Sequence, residues 1–164
     1  MKPRKTTNIF FGGTGGQGVL TASEICCWAA LYAGFHVKKS EVHGMAQRGG
    51  SVESHVRFAE RVFSPLIPKG QADFLVCFHR QERDRLKGEL KKKGLDLTDA
   101  LDDAVRAVQT VSDRRMVNTY ILGCLSRHLP FSVAHWQKAF ETVFSAPYVA
   151  DNLKAFRKGR GESS

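Results

Sequence analysis

The stretch that most constrains the fold is Asn8–Phe11 followed by Gly12-Gly13-Thr14-Gly15-Gly16-Gln17-Gly18. A short apolar run, a cluster of glycines and an alanine-rich segment predict a strand, a tight turn and a helix. Gly13, Gly15 and Gly18 fit the G-x-G-x-x-G spacing. A loop of this kind aims free N–H groups and the positive end of a helix dipole at whatever sits before it. Two readings follow. The loop is a ligand site, with Gly13, Gly15, Gly16, Gln17 and Gly18 as the candidate cofactor-binding residues, or it is a turn that packs a helix on a sheet. In the dinucleotide fingerprint an acidic residue about 20 positions on holds a ribose hydroxyl. Here the next strand reads Phe35-His36-Val37-Lys38-Lys39. A lysine pair suits a 2′-phosphate, so a free-standing NADP-binding oxidoreductase is one reading.

Between these strands Val19, Ala22, Cys26, Ala29, Ala30 and Ala33 share one helical face, and Gly34 marks its end. Strand, helix and strand in about 30 residues form a βαβ unit. The spacing predicts that 8–11 and 35–39 are parallel and adjacent. Residues 51–58 alternate apolar and polar, as a half-buried strand does, and a short hairpin toward Val62-Phe63 is expected. The continuous apolar run 73–78 predicts a central parallel strand, with His79 just beyond the edge where α/β sheets bind ligands.

The second glycine-rich stretch is Ser40-Glu41-Val42-His43-Gly44-Met45-Ala46-Gln47-Arg48-Gly49-Gly50. Few solvated loops mix so many functional groups, and docking or site loops do. Ser40, Glu41, His43, Gly44, Met45, Gln47, Arg48, Gly49 and Gly50 are therefore the candidate partner or active-site loop. Arg48 offers a planar fork for a carboxylate or phosphate, and Met45 an adaptable apolar contact. The alternative is a loop that only shapes the start of the strand at Ser51. No residue pattern identifies a catalytic group or a metal site.

These two loops, together with Ser64-Pro65-Leu66-Ile67-Pro68, closely resemble the gamma-type chains of 2-oxoacid:ferredoxin oxidoreductases, those of the indolepyruvate type above all. The resemblance is dense over residues 8–78 and looser over 116–160. It implies an α/β, three-layer Rossmann-like domain with a mostly parallel sheet and C-terminal helices packed on it. It also implies an accessory subunit, inactive alone, of an enzyme that decarboxylates a 2-oxoacid to an acyl-CoA and passes electrons to ferredoxin. Thiamine diphosphate, Mg and the iron–sulfur clusters are then expected on a large partner subunit. This chain would hold none of them by itself, with coenzyme A as the ligand open to its glycine loop. A scaffold or regulatory module derived from the family is the remaining alternative.

Composition narrows the classes. The chain has 164 residues, 42% of them hydrophobic, and a formal net charge of +9. That length suits one domain, 1–164, with 1–7 and 160–164 expected as flexible tails. No apolar run is long enough to span a membrane. Basic residues cluster at 80–93 and near the C-terminus, but aromatics do not interleave with them, which argues against a base-stacking surface for nucleic acid. An acidic protein partner or an anionic substrate fits the charge, and a homodimer in isolation is left open. Cys26, Cys27, Cys77 and Cys124 form no Cys-x-x-Cys pair and sit among apolar residues. Buried free thiols and a cytoplasmic location are expected.

The C-terminal half predicts helices. Thr98 caps a stripe of Leu101, Ala104, Val105, Val108 and Val111; Met116 to His128 form a second; Ser132 caps a third; Pro147 opens a fourth. These stripes are expected as core, and Gly159 with Gly161 as the release of a polar tail. Residues 82–93 are expected as a solvated helix or mobile segment, with only 94–97 offering a further strand, so a small sheet with an exposed edge follows.

Overall fold

The computed structural model describes residues 5–44, 50–109 and 116–162. The element order is β1 (Thr7–Thr14), α1 (Val19–Tyr32), β2 (His36–His43), β3 (Ser51–Ala59), β4 (Ala72–Cys77), α2 (Arg80–Leu86), β5 (Leu90–Asp96), α3 (Ala100–Gln109), α4 (Val117–Ser126), α5 (Val133–Val143) and α6 (Ala146–Gly159). The sheet has five strands in the order β2-β3-β1-β4-β5. Pairing of β1 with β4 and of β4 with β5 is parallel, while β3 runs antiparallel to both β1 and β2. The sheet is therefore mostly, not wholly, parallel, as the α/β expectation requires.

The expected adjacency of 8–11 and 35–39 is not formed. Both strands run the same way, but β3 lies between them. Burial explains the order. β3 offers Val56, Phe58 and Ala59, all buried, whereas β2 carries Lys38, Lys39 and Glu41. The more apolar strand takes the inner position, and the charged one becomes an edge that resists further pairing. The other edge follows the same rule. Residues 82–93, expected as one solvated segment, divide into α2, a short 3-10 turn at Lys87–Glu89 and β5. Lys91, Lys92 and Lys93 hide that strand from a propensity reading while suiting it to an edge. No strand forms at Val62-Phe63 among the described residues, so the expected hairpin there is absent.

One face of the sheet holds most of the helices. Ile9 and Phe11 point into it, against Ala22, Ile25, Cys26 and Ala29 of α1, and Phe10 points to the other face, as the two-residue period of a strand demands. α1 packs beside α5, and Tyr32 Oη lies 2.6 Å from Thr142 Oγ1. A chain of rings from Phe35 through Phe131, Trp136 and Phe156 to Phe140 fills the space beneath the C-terminal helices. Burying each such ring contributes about 1.5–3 kcal/mol. Ser132 caps α5 as expected, in a reciprocal capping box with His135. Gly159 does not release a tail. It lies in α6, opposite Gly123 of α4, and Arg160 beyond it donates to Ser126 Oγ at 2.8 Å. All four cysteines are buried free thiols, and burial pushes Cys27 up to about 12.

The second face is covered by α2 and by segment 60–71, around Phe10, Ile67, Leu75, Cys77 and Leu86. His55 sits under that segment. Its Nδ1 accepts the Ile67 N–H at 3.1 Å, and its ring lies 4.5 Å from Phe10. Burial holds its pKa below the ordinary 6.5. A group with a lowered folded-state pKa gives its full stability above the unfolded value and loses it as pH falls toward the folded one. Thermal melts should therefore show stability dropping below about pH 6.5. His55→Asn, which keeps an acceptor but does not titrate, should flatten that drop; an unchanged pH profile would remove His55 from the account.

Candidate functional site

β1 ends at Thr14 and α1 begins at Val19, so the first glycine loop occupies the carboxyl edge of the sheet. Thr14 N–H donates to Gln17 Oε1 at 2.8 Å, and Gln17 N–H returns a bond to the Thr14 carbonyl at 3.3 Å. The Gln17 side chain thus folds into the loop, 2.8 Å from where a Cβ on Gly13 would stand. Gly13 is a packing position. Gly18 is different: its φ is 77° and it caps α1. A side chain there would be strained and would also overlap the Asn118 amide.

The second loop reaches the first. Gly15 N–H donates to the Gly50 carbonyl at 3.0 Å, so both glycine-rich stretches meet at one edge. Ser40, Glu41 and His43 belong to β2, and Gly44 N–H donates to the Ser51 carbonyl at 2.6 Å. The Glu41 carboxylate pairs with Lys39 at 2.6 Å; that bond holds it below its ordinary range. Met45, Gln47, Arg48 and Gly49 lie outside the described residues. The dinucleotide arrangement is not formed. Lys38 and Lys39 sit on the edge strand, two strands from the glycine loop, or about 9–10 Å.

A cavity of about 710 Å³ opens in front of the glycine loop. Gly16, Gln17, Gly18 and Thr21 form one end, beside the start of α1. Phe78, Leu101, Val105, Met116, Val117, Phe144 and Tyr148 supply an apolar wall. Leu101, Val105 and Met116, expected as core, line the cavity; Leu101 also packs against the core, while Val105 and Tyr148 remain exposed. Asn118 and Asn152 are the polar floor, both buried. Asn118 Nδ2 donates to the Gly18 carbonyl at 3.3 Å, and Asn118 Oδ1 accepts Thr119 N–H at 2.8 Å. Thr119 Oγ1 donates to Asn152 Oδ1 at 2.8 Å, and Asn152 Nδ2 donates to the Tyr148 carbonyl at 2.8 Å. This network ties α4 and α6 to the first turn of α1. Sequence reasoning missed it, because two asparagines on apolar helical stripes carry no motif. The signal was the polar residue itself on a buried face, which needs a partner.

His79 does not join the cavity. Its carbonyl accepts from Arg83 N–H at 3.1 Å, opening α2, and Phe78 is the residue that reaches the wall. On the opposite side of the same edge, Arg85 bridges Glu53 and Glu82 at 2.6 Å each. Burial would raise the Glu82 carboxyl, but the bonds from Arg85 and Ser51 outweigh it and hold it low. Among the described residues no group of three or more His, Cys, Asp or Glu is placed to hold a metal ion. No described helix is long and apolar enough to cross a membrane.

The family model for pyruvate ferredoxin/flavodoxin oxidoreductase matches residues 8–162. The chain belongs to that family. Against the indolepyruvate oxidoreductase subunit IorB of Thermococcus kodakarensis it is 49% identical over 96 residues, which are 58% of this chain and 48% of the relative. The chain thus spans about half the length of that relative. The same subunit of Archaeoglobus fulgidus is 32% identical over 191 residues, covering 95% of this chain and 94% of the relative. Among solved structures, the gamma subunit of a keto/oxoacid ferredoxin oxidoreductase from Geobacter sulfurreducens superposes with a TM-score of 0.77 at 26% identity, over 93% of this chain and 95% of that one. The oxidoreductase family and gamma-type architecture expected from the two glycine-rich loops are thereby established.

Proposed function

We propose that this chain is the accessory subunit of a 2-oxoacid:ferredoxin oxidoreductase acting on indolepyruvate or a similar 2-oxoacid. It completes the enzyme by closing its glycine-loop cavity around part of coenzyme A. The observation that carries the reading is that cavity. Its volume, near 710 Å³, is in the range of small-molecule sites. Its polar end is the start of α1, whose unpaired N–H groups and dipole favour an anionic or carbonyl oxygen. The apolar wall suits the uncharged arm of the coenzyme.

Thiamine diphosphate, magnesium and the iron–sulfur clusters belong on the large partner subunit, where they supply decarboxylation and single-electron transfer to ferredoxin. The four cysteines of this chain are buried thiols, and burial raises the pKa of Cys26 and Cys27. Such thiols persist in the cytoplasm, where we place the enzyme. The loop 40–50 we assign to the partner or to the shared active site, with Gly50 bonded to the coenzyme loop as its link.

Mixing tests this reading. The purified chain should be colourless, and it should co-elute with the purified large subunit as one brown complex. Separate elution across the micromolar range, or a visible chromophore on the chain alone, would overturn it.

A further inference from the structure

The sheet face away from most of the helices is thinly covered over β2 and β3. By register it presents His36, Lys38, Ser40 and Val42 beside Glu53, His55 and Arg57. Segment 60–71 crosses this half and is pinned from below. Arg57 Nε donates to Asn8 Oδ1 at 2.8 Å, and Arg57 Nη1 donates to the Ser64 and Leu66 carbonyls at 2.9 Å each. Val62 N–H donates to His36 Nδ1 at 2.9 Å, and Ile67 N–H to His55 Nδ1. Val62 and Ile67 point inward and are buried. Phe63 and Leu66 point out, 84% and 55% exposed, and Val42 on the same face is 48% exposed.

A phenylalanine left almost wholly in water on a loop fixed by side-chain clamps is preorganised for contact. Little ordering cost remains to be met on binding. Aromatic knobs of this kind dominate binding energy at protein interfaces. Charge selects the occupant. Lys38 lies opposite Arg57 in the ladder, and Arg61 and Lys69 are exposed on the segment itself, against the acidic Glu60 there and Glu53 on β3, which Arg85 already pairs. The whole chain carries +9. Two copies meeting through this face would bring like charges together, whereas an acidic surface would be attracted.

We propose that the face centred on Phe63, Leu66 and Val42 is the docking surface for a protein partner with an acidic rim and an apolar pocket. On the reading above, on which this inference rests, that partner is the large subunit. The test is calorimetric titration of the full chain into the purified large subunit, comparing the unmodified chain with Phe63→Ser plus Leu66→Ser. Both residues are exposed, so the variant should melt within about 3 °C of the unmodified chain. Its affinity should fall at least roughly thirtyfold. Arg61→Glu plus Lys69→Glu should weaken binding severalfold, and added salt should shrink that difference. If the unmodified chain binds and the Phe63/Leu66 variant binds equally well, the docking surface is wrong while the subunit reading stands. If the unmodified chain does not bind at all, the subunit reading fails and takes this inference with it. A homodimer of the unmodified chain that the same variant abolishes would show the occupant to be a second copy, and would overturn the proposal too.

Discussion

Alanine at Gly159 is expected to lower the melting temperature of the isolated chain by roughly 6–12 °C, equivalent to about 3 kcal/mol. α4 and α6 cross at Gly123 and Gly159, backbone against backbone. A Cβ on Gly159 would overlap the Tyr120 carbonyl oxygen, and one on Gly123 would overlap that of Phe156. Neither obstacle can swing aside as a side-chain tip could, so the helices must separate. Separation draws Phe156 away from Trp136 and Phe140, whose rings lie 5.3 Å from it. It also stretches the contact from Cys124 Sγ to the Gly159 carbonyl, now 3.3 Å. Gly88, with nothing within 4 Å of its added Cβ, is the control and should change stability by less than about 0.5 kcal/mol. Thermal melts followed by circular dichroism decide the matter. A Gly159→Ala chain that melts with the unmodified one would mean that the two helices do not pack so closely.

Asn118→Leu should raise the KM for coenzyme A of the assembled enzyme at least tenfold, or about 1.4 kcal/mol. Leucine keeps the branched shape of asparagine with more bulk, but it cannot donate to the Gly18 carbonyl or accept from Thr119 N–H. A buried group left without its partner costs about 1–3 kcal/mol. Part of that cost appears as lower stability. The rest appears at the cavity, because Asn118 holds the left-handed Gly18 that starts α1. Thr119→Val, which removes the link to Asn152 and the long 3.4 Å contact with Asn118 Oδ1 but leaves the Asn118 bond to Gly18, should have a smaller effect on KM. Steady-state kinetics at varied coenzyme A separate the two. An unchanged KM in Asn118→Leu, with the complex intact, would remove the cavity from coenzyme binding.

The sequence made some of this legible and concealed the rest for physical reasons. The strand–loop–helix from Thr7 to Tyr32 was plain, because an apolar run, glycines and an alanine-rich face each point the same way. Strand order was not, since local periodicity does not reveal that β3 intervenes between β1 and β2. The start of β5 was obscured by Lys91, Lys92 and Lys93, residues that disfavour a strand by propensity yet protect an edge, while the strand offered at 94–97 overlaps its end. The meeting of the two glycine-rich stretches through Gly15 and Gly50 depends on the β2–β3 pairing and has no local signature. The Gly123–Gly159 crossing likewise joins two helices far apart in sequence. Asn118 and Asn152 belong to no motif, although together they form the floor of the cavity.

The most direct measurement is ferredoxin reduction by the purified large subunit with indolepyruvate and coenzyme A, before and after this chain is added. Neither protein alone should turn over. Together they should reduce ferredoxin at a rate that saturates with coenzyme A and depends on the chain in stoichiometric amounts. Full coenzyme A-dependent turnover by the large subunit alone would contradict the account, as would turnover by this chain without it.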